Sequence, residues 1–102
     1  MPGIDYAALR VRITMKEVLD LVGFHPLQHQ GSRVRGRCLF ACGDSPRAFV
    51  ANLDVHRYRC FGCGRRGNQL ELWAAIHGQP LHPATLQLCQ RLHINPPLIH
   101  RW

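Results

Sequence analysis

Two closely spaced cysteine pairs, a middle segment that alternates arginine with apolar residues, and capped helical patterns on both sides of it predict an α+β fold. The expected architecture is a small antiparallel sheet pinned by a metal ion and flanked by N-terminal and C-terminal helices. At 102 residues the chain reads as one domain over 1–102. So short a chain has a thin hydrophobic core, and a metal staple adds greatly to its stability.

The first block, about residues 5–23, is helical. Thr14 and Glu17 have the spacing of a capping box, in which each side chain bonds the other residue's backbone amide. Val18, Leu21 and Val22 form the apolar stripe, and Gly23 suits a left-handed helix end. The second block, residues 27–67, reads as short strands. "SRVRGRC" puts Arg33, Arg35 and Arg37 on one face and Val34 on the other, and "RAFVAN" and "HRYRC" form a hairpin around "LDV". In "HRYRC" the alternation sets His56, Tyr58 and Cys60 against Arg57, Arg59 and Phe61. The third block holds a helix over 69–77 with Asn68 as N-cap and a helix over 83–93 with Pro83 in its first turn. Cys89 falls at helical spacing with Leu88 and Leu92 and reads as a small buried hydrophobe.

The chemistry lies in residues 37–67. "CLFAC" and "CFGC" pair Cys38 with Cys42 and Cys60 with Cys63, and one hairpin separates the pairs. Zinc takes four ligands in a tetrahedron, and two short thiolate knuckles meet that demand. The four cysteines thus predict one structural Zn2+ in a zinc ribbon. All four positions are filled, which leaves no open position for catalytic water. His56, four residues before Cys60, is a reserve ligand. A thiol redox pair at Cys60 and Cys63 is the competing reading, but such a pair needs no second knuckle.

Net charge is +7, and twelve of the thirteen basic residues are arginine. Eight arginines lie between Arg33 and Arg66 against two acids, Asp44 and Asp54. Arginine's planar fork fits phosphate and stacks on bases. A basic, aromatic-bearing strand face therefore points to single-stranded nucleic acid, with arginines on phosphates and Tyr58 or Phe61 under bases. The expected contacts are Arg35, Arg37, Arg47, Arg57, Tyr58, Arg59, Phe61, Arg65 and Arg66. The alternative is a protein-interaction adaptor whose arginines meet an acidic partner, with Trp73 and Trp102 as anchors. No apolar run approaches the ~20 residues of a membrane span, and "MPGIDYAALR" lacks a secretory pattern. A reducing cytoplasm and no membrane partner are expected.

"YRCFGCGRRGNQLELW", residues 58–73, resembles the second knuckle of the zinc-binding domain, the Cys-His-Cys-Cys zinc finger, of bacterial and phage DNA primases. "CLFACGDSPRAFVAN" is similar to the upstream knuckle and strand, and "ITMKEVLDLVG" to the preceding helix. By this resemblance Cys38, Cys60 and Cys63 are three ligands; the family's histidine falls on Ala41, and Cys42 is its substitute. Pro46, Phe49, Gly64, Gly67 and Asn68 also match the family pattern. The resemblance implies a domain that helps select single-stranded template DNA in primer synthesis, alongside a separate catalytic domain or chain, or a helicase. The acids Asp5, Glu17, Asp20, Asp44, Asp54 and Glu71 are scattered singly, so no site for the family's catalytic metals is expected in this chain.

Overall fold

The computed structural model describes residues 3–40 and 47–99. The fold is α+β, as expected: a five-stranded antiparallel sheet with helices on one face.

The N-terminal block resolves into two helices. α1 (Tyr6–Arg12) starts where the Asp5 side chain accepts from the Ala8 amide at 3.1 Å, and Arg10 and Arg12 occupy its last turn. Those cations sit at the negative end of the helix dipole. α2 (Met15–Leu21) begins at the predicted capping box: Thr14 Oγ1 accepts from the Glu17 amide, and Glu17 Oε1 accepts from the Thr14 amide. An N-cap has extended backbone, here φ −91° and ψ 156° at Thr14, so the box itself prevents one continuous helix. Gly23, with φ +73°, follows α2 as predicted.

The sheet is a meander in chain order: β2 (Gln28–Gln30), β3 (Arg33–Gly36), β4 (Phe49–Asn52), β5 (Arg57–Cys60) and β6 (Arg66–Asn68). The central three are the predicted strands. The short edges β2 and β6 carry little strand signal of their own and form by pairing with β3 and β5. Period two splits the sheet cleanly. Val34, Gly36, Phe49, Ala51, Tyr58, Cys60 and Gly67 are buried, whereas Arg33, Arg35, Arg57, Arg59 and Arg66 are exposed. Phe49 stacks on Tyr58 with ring centroids 5.7 Å apart and meets Phe24 at 5.1 Å. A Cβ on Gly36 would come within 2.8 Å of the Phe24 ring, so glycine lets that ring lie against the strand.

α3 (Gln69–His77) opens with the predicted Asn68 cap, reinforced by Glu71 as a second capping box, and closes at Gly78 with φ +61°. It packs against α2, α4 and the strands β5 and β6, burying Leu70, Leu72, Trp73 and Ala74. α4 (Leu81–Arg91) starts two residues earlier than the sequence indicated, with Pro80 at the N-cap. Pro83 fits its first turn because amides there have no intrahelical acceptor. Cys89 is buried, and burial pushes its thiol pKa up, so it stays protonated and acts as an apolar filler. A second sheet, unforeseen from sequence, pairs β1 (Gly3–Ile4) with β7 (Leu98–Ile99).

Two polar side chains join distant segments. Gln69, 1% exposed, donates from Nε2 to the carbonyls of Arg10 and Ile13 at 2.9 and 2.7 Å, satisfying the C-terminal end of α1. His56 accepts the Met15 amide proton on Nδ1 at 3.0 Å, at the N-terminus of α2. Replacing Gln69 by alanine leaves buried carbonyls without donors. The expected loss is about 1–3 kcal/mol of unfolding free energy in denaturant titration, with metal content unchanged.

Candidate metal centre and nucleic-acid interface

β3 and β5 are both antiparallel to β4, so they run in the same direction and their C-terminal ends emerge at the same end of the sheet, on either side of β4. Gly36, Phe49 and Cys60 share one cross-strand row. The knuckle cysteines therefore leave the sheet at one end: Cys38 just beyond β3, Cys60 as the last residue of β5, and Cys63 in the turn after it.

That turn is held by backbone bonds. The Gly64 amide donates to the Cys60 carbonyl and the Cys60 amide to the Arg65 carbonyl, both at 2.8 Å, with Gly64 at φ +77°. The Sγ atoms of Cys38, Cys60 and Cys63 lie within 4.8 Å of one another, and Cys38 and Cys63 approach to 3.9 Å. A tetrahedron with Zn–S bonds of about 2.3 Å separates its sulfurs by roughly 3.8 Å. The three thiols thus fit three corners of such a zinc tetrahedron. The Phe40 amide donates to Cys38 Sγ at 3.3 Å, which helps fix the position of that sulfur. The fourth predicted ligand, Cys42, lies outside the described residues. His56, the reserve ligand, is not in the cluster; its Nδ1 accepts from the Met15 amide at the start of α2.

The outer face of the sheet collects the arginines. Arg35, Val50, Arg59 and Arg66 form one cross-strand row, and Arg33, Asn52, Arg57 and Asn68 form the next. Arg59 and Arg66 are direct cross-strand partners, an arrangement that costs stability. Phe61 is 60% exposed beside this face, with the Arg59 guanidinium 4.9 Å and that of Arg35 6.0 Å from its ring centroid. Arg65 stacks at 4.6 Å over Phe40. Arg37 and Arg47 are exposed toward the same end.

One expected contact needs correction. Tyr58 is only 5% exposed, with its ring stacked on Phe49 in the core, so it offers no platform to a base. The alternation itself required this: Tyr58 shares the inward parity of Cys60. Burial, followed by the charge of Glu71, pushes its phenol pKa above the usual value. Phe61 is left as the exposed aromatic of this strand end. Arg33 was absent from the expected contacts, although its alternation with Arg35 was readable. Gln28 and Gln30 also face this surface, opposite Arg35 and Arg33, and only strand pairing shows it.

The CHC2 zinc finger profile matches residues 4–100. The chain is 32% identical over 82 residues to a DNA primase of Halalkalibacterium halodurans, covering 79% of this chain and 14% of that protein. It is 28% identical over 80 residues to a DNA primase of Geobacillus stearothermophilus, covering 78% and 13%. In structure it is similar to the crystallised zinc-binding and RNA polymerase domains of the Aquifex aeolicus primase, with a TM-score of 0.75 at 26% identity. That superposition covers 91% of this chain and 22% of the other. The chain therefore spans about a seventh of the curated primases it matches. With its knuckle cysteines converging at one sheet end and this match along almost its whole length, the chain belongs to the CHC2 zinc-finger family, the zinc-binding domain of DNA primases.

Proposed function

We propose that residues 1–102 act as a single zinc-ribbon module that binds single-stranded DNA template on the outer sheet face and serves primer synthesis carried out by a separate catalytic domain or chain. The observation that carries this reading is the arginine array on one face of the sheet with the exposed Phe61 at its margin. Single strands are held in that way, with guanidiniums on phosphates and an aromatic ring under a base. Arg35, Arg57, Arg59 and Arg66 supply the central contacts, and Arg37, Arg47 and Arg65 extend them toward the metal end.

One zinc ion, bound by Cys38, Cys60 and Cys63 with Cys42 as fourth ligand, holds that end of the sheet rigid. Its role is structural. Asp5, Glu17 and Glu71 are each spent on a helix N-terminus, so these carboxylates are not gathered for catalytic metal ions. Nucleotide transfer belongs to the partner domain, and a helicase is a further candidate neighbour in the same assembly. No helix among the described residues is long and apolar enough to cross a membrane. A reducing cytoplasm suits the thiolate site.

Fluorescence anisotropy with labelled single-stranded and duplex oligonucleotides, on a sample whose zinc content is measured, tests the reading. Single strands bind more tightly at low salt, and affinity falls steeply as salt rises, since each neutralised phosphate releases counterions. Absence of binding at low salt, or indifference to salt, would transfer the arginines to an acidic protein partner.

A further inference from the structure

β2 stands apart on the outer face. Where β3, β5 and β6 present guanidiniums, β2 presents the two exposed amides of Gln28 and Gln30. They form, with Arg33, Arg35 and Val50, a cavity of about 300 Å³. A second cavity of about 390 Å³ adjoins it, shares Arg35 as a wall, and is bounded by Arg47, Ala48, Phe61 and Gly62. The two differ in chemistry. The Phe61 cavity has an aromatic face and guanidiniums but no side-chain amide. The Gln28 and Gln30 cavity has an aliphatic floor and two amides.

We infer that Gln28 and Gln30 make this face selective for base identity. One base of the bound strand enters their cavity over Val50, while the neighbouring base stacks on Phe61 without discrimination. This rests on the single-strand reading above. A guanidinium only donates hydrogen bonds, so besides holding phosphate it can make a two-bond pair only with a base edge of two acceptors, as on guanine. An amide carries an acceptor and two donors in one plane, so it pairs by two bonds with a base edge that sets a donor beside an acceptor, as adenine does, and less well with an edge of two acceptors. Arg35, between the two cavities, is placed to hold the phosphate that links the two nucleotides. Polar residues also serve simply to keep an edge strand soluble, and that role predicts no effect on which base is bound.

The test compares the zinc-loaded protein with its Gln28→Ala, Gln30→Ala double variant. Each is equilibrated with a random-sequence single-stranded DNA pool, and the bound fraction is sequenced. The wild-type protein enriches one base at one position by roughly ten-fold, the discrimination expected of a good two-bond pair. The double variant loses that enrichment yet binds the unselected pool within about two-fold, because the phosphate contacts remain. A Phe61→Ala variant behaves in the opposite way, with weaker pool binding and the enrichment retained. Equal enrichment by wild type and double variant, or none by wild type on a pool it binds well, overturns the inference alone. A wild-type protein that does not bind the pool overturns the single-strand reading and this inference with it.

Discussion

Replacing Arg35 and Arg59 together by alanine lowers affinity for single-stranded DNA by about ten-fold or more at low salt. The slope of log affinity against log salt becomes shallower by about 0.7 for each phosphate that is no longer neutralised. Both guanidiniums lie in one cross-strand row with Val50 between them, and both face the Phe61 ring. Removing them therefore takes away two phosphate partners and strips the ring of its cationic flank. The fold is not the casualty. Both residues are exposed, and loss of Arg59 relieves its like-charge pairing with Arg66, so stability changes by no more than about 0.5 kcal/mol. Anisotropy titrations at several salt concentrations, with denaturant unfolding of the same samples, separate binding from folding. An unchanged salt slope in the double variant would remove the outer face from DNA binding.

Removal of zinc has the larger effect on structure. Structural zinc sites of this type contribute on the order of 10–16 kcal/mol of apparent binding free energy. The whole stability of a domain is about 5–15 kcal/mol. Chelation is expected to unfold the 37–67 segment, read as loss of strand signal in circular dichroism and rapid proteolysis there. Cys63 is the cleanest position for mutation, because it is exposed and its thiol adds nothing to the core. Cys63→Ser thus loses zinc and stability through the metal alone. Cys89→Ser, within the buried part of α4, alters core packing and leaves zinc stoichiometry unchanged. Cys42→Ser tests the fourth ligand directly: zinc release comparable to that in Cys63→Ser assigns it, and full retention of zinc excludes it. Persistence of strand signal and protease resistance after complete chelation would show that the metal is dispensable to the fold.

Much of this was legible in the chain because its physics is local. The capping boxes at Thr14 and Asn68 and the αL glycine Gly78 depend on residues a few positions apart. So does the alternation that sets Arg57 and Arg59 against Tyr58 and Cys60. Tyr58 misleads by residue type. An aromatic beside arginines looks like a platform, while its inward phase already places it beneath the sheet. The edges β2 and β6, the β1–β7 pair, and the tethers of Gln69 and His56 left no such trace. The edges take their conformation from the strands they pair with. The β1–β7 pair and the two tethers join segments far apart along the chain, and Gln69 reaches carbonyls more than fifty residues away.

The amino-acid sequence by itself determined the spacing of the cysteines, the starts of α2 and α3 at their capping boxes, and which side of each central strand carries charge. These follow from spacing and side-chain type. Only the tertiary structure decided that two strands running in one direction bring their cysteines to a single point. Strand register, too, was needed to assemble separate arginines and the Gln28–Gln30 edge into one continuous face, because register is fixed by burying the opposite face of the sheet against the helices.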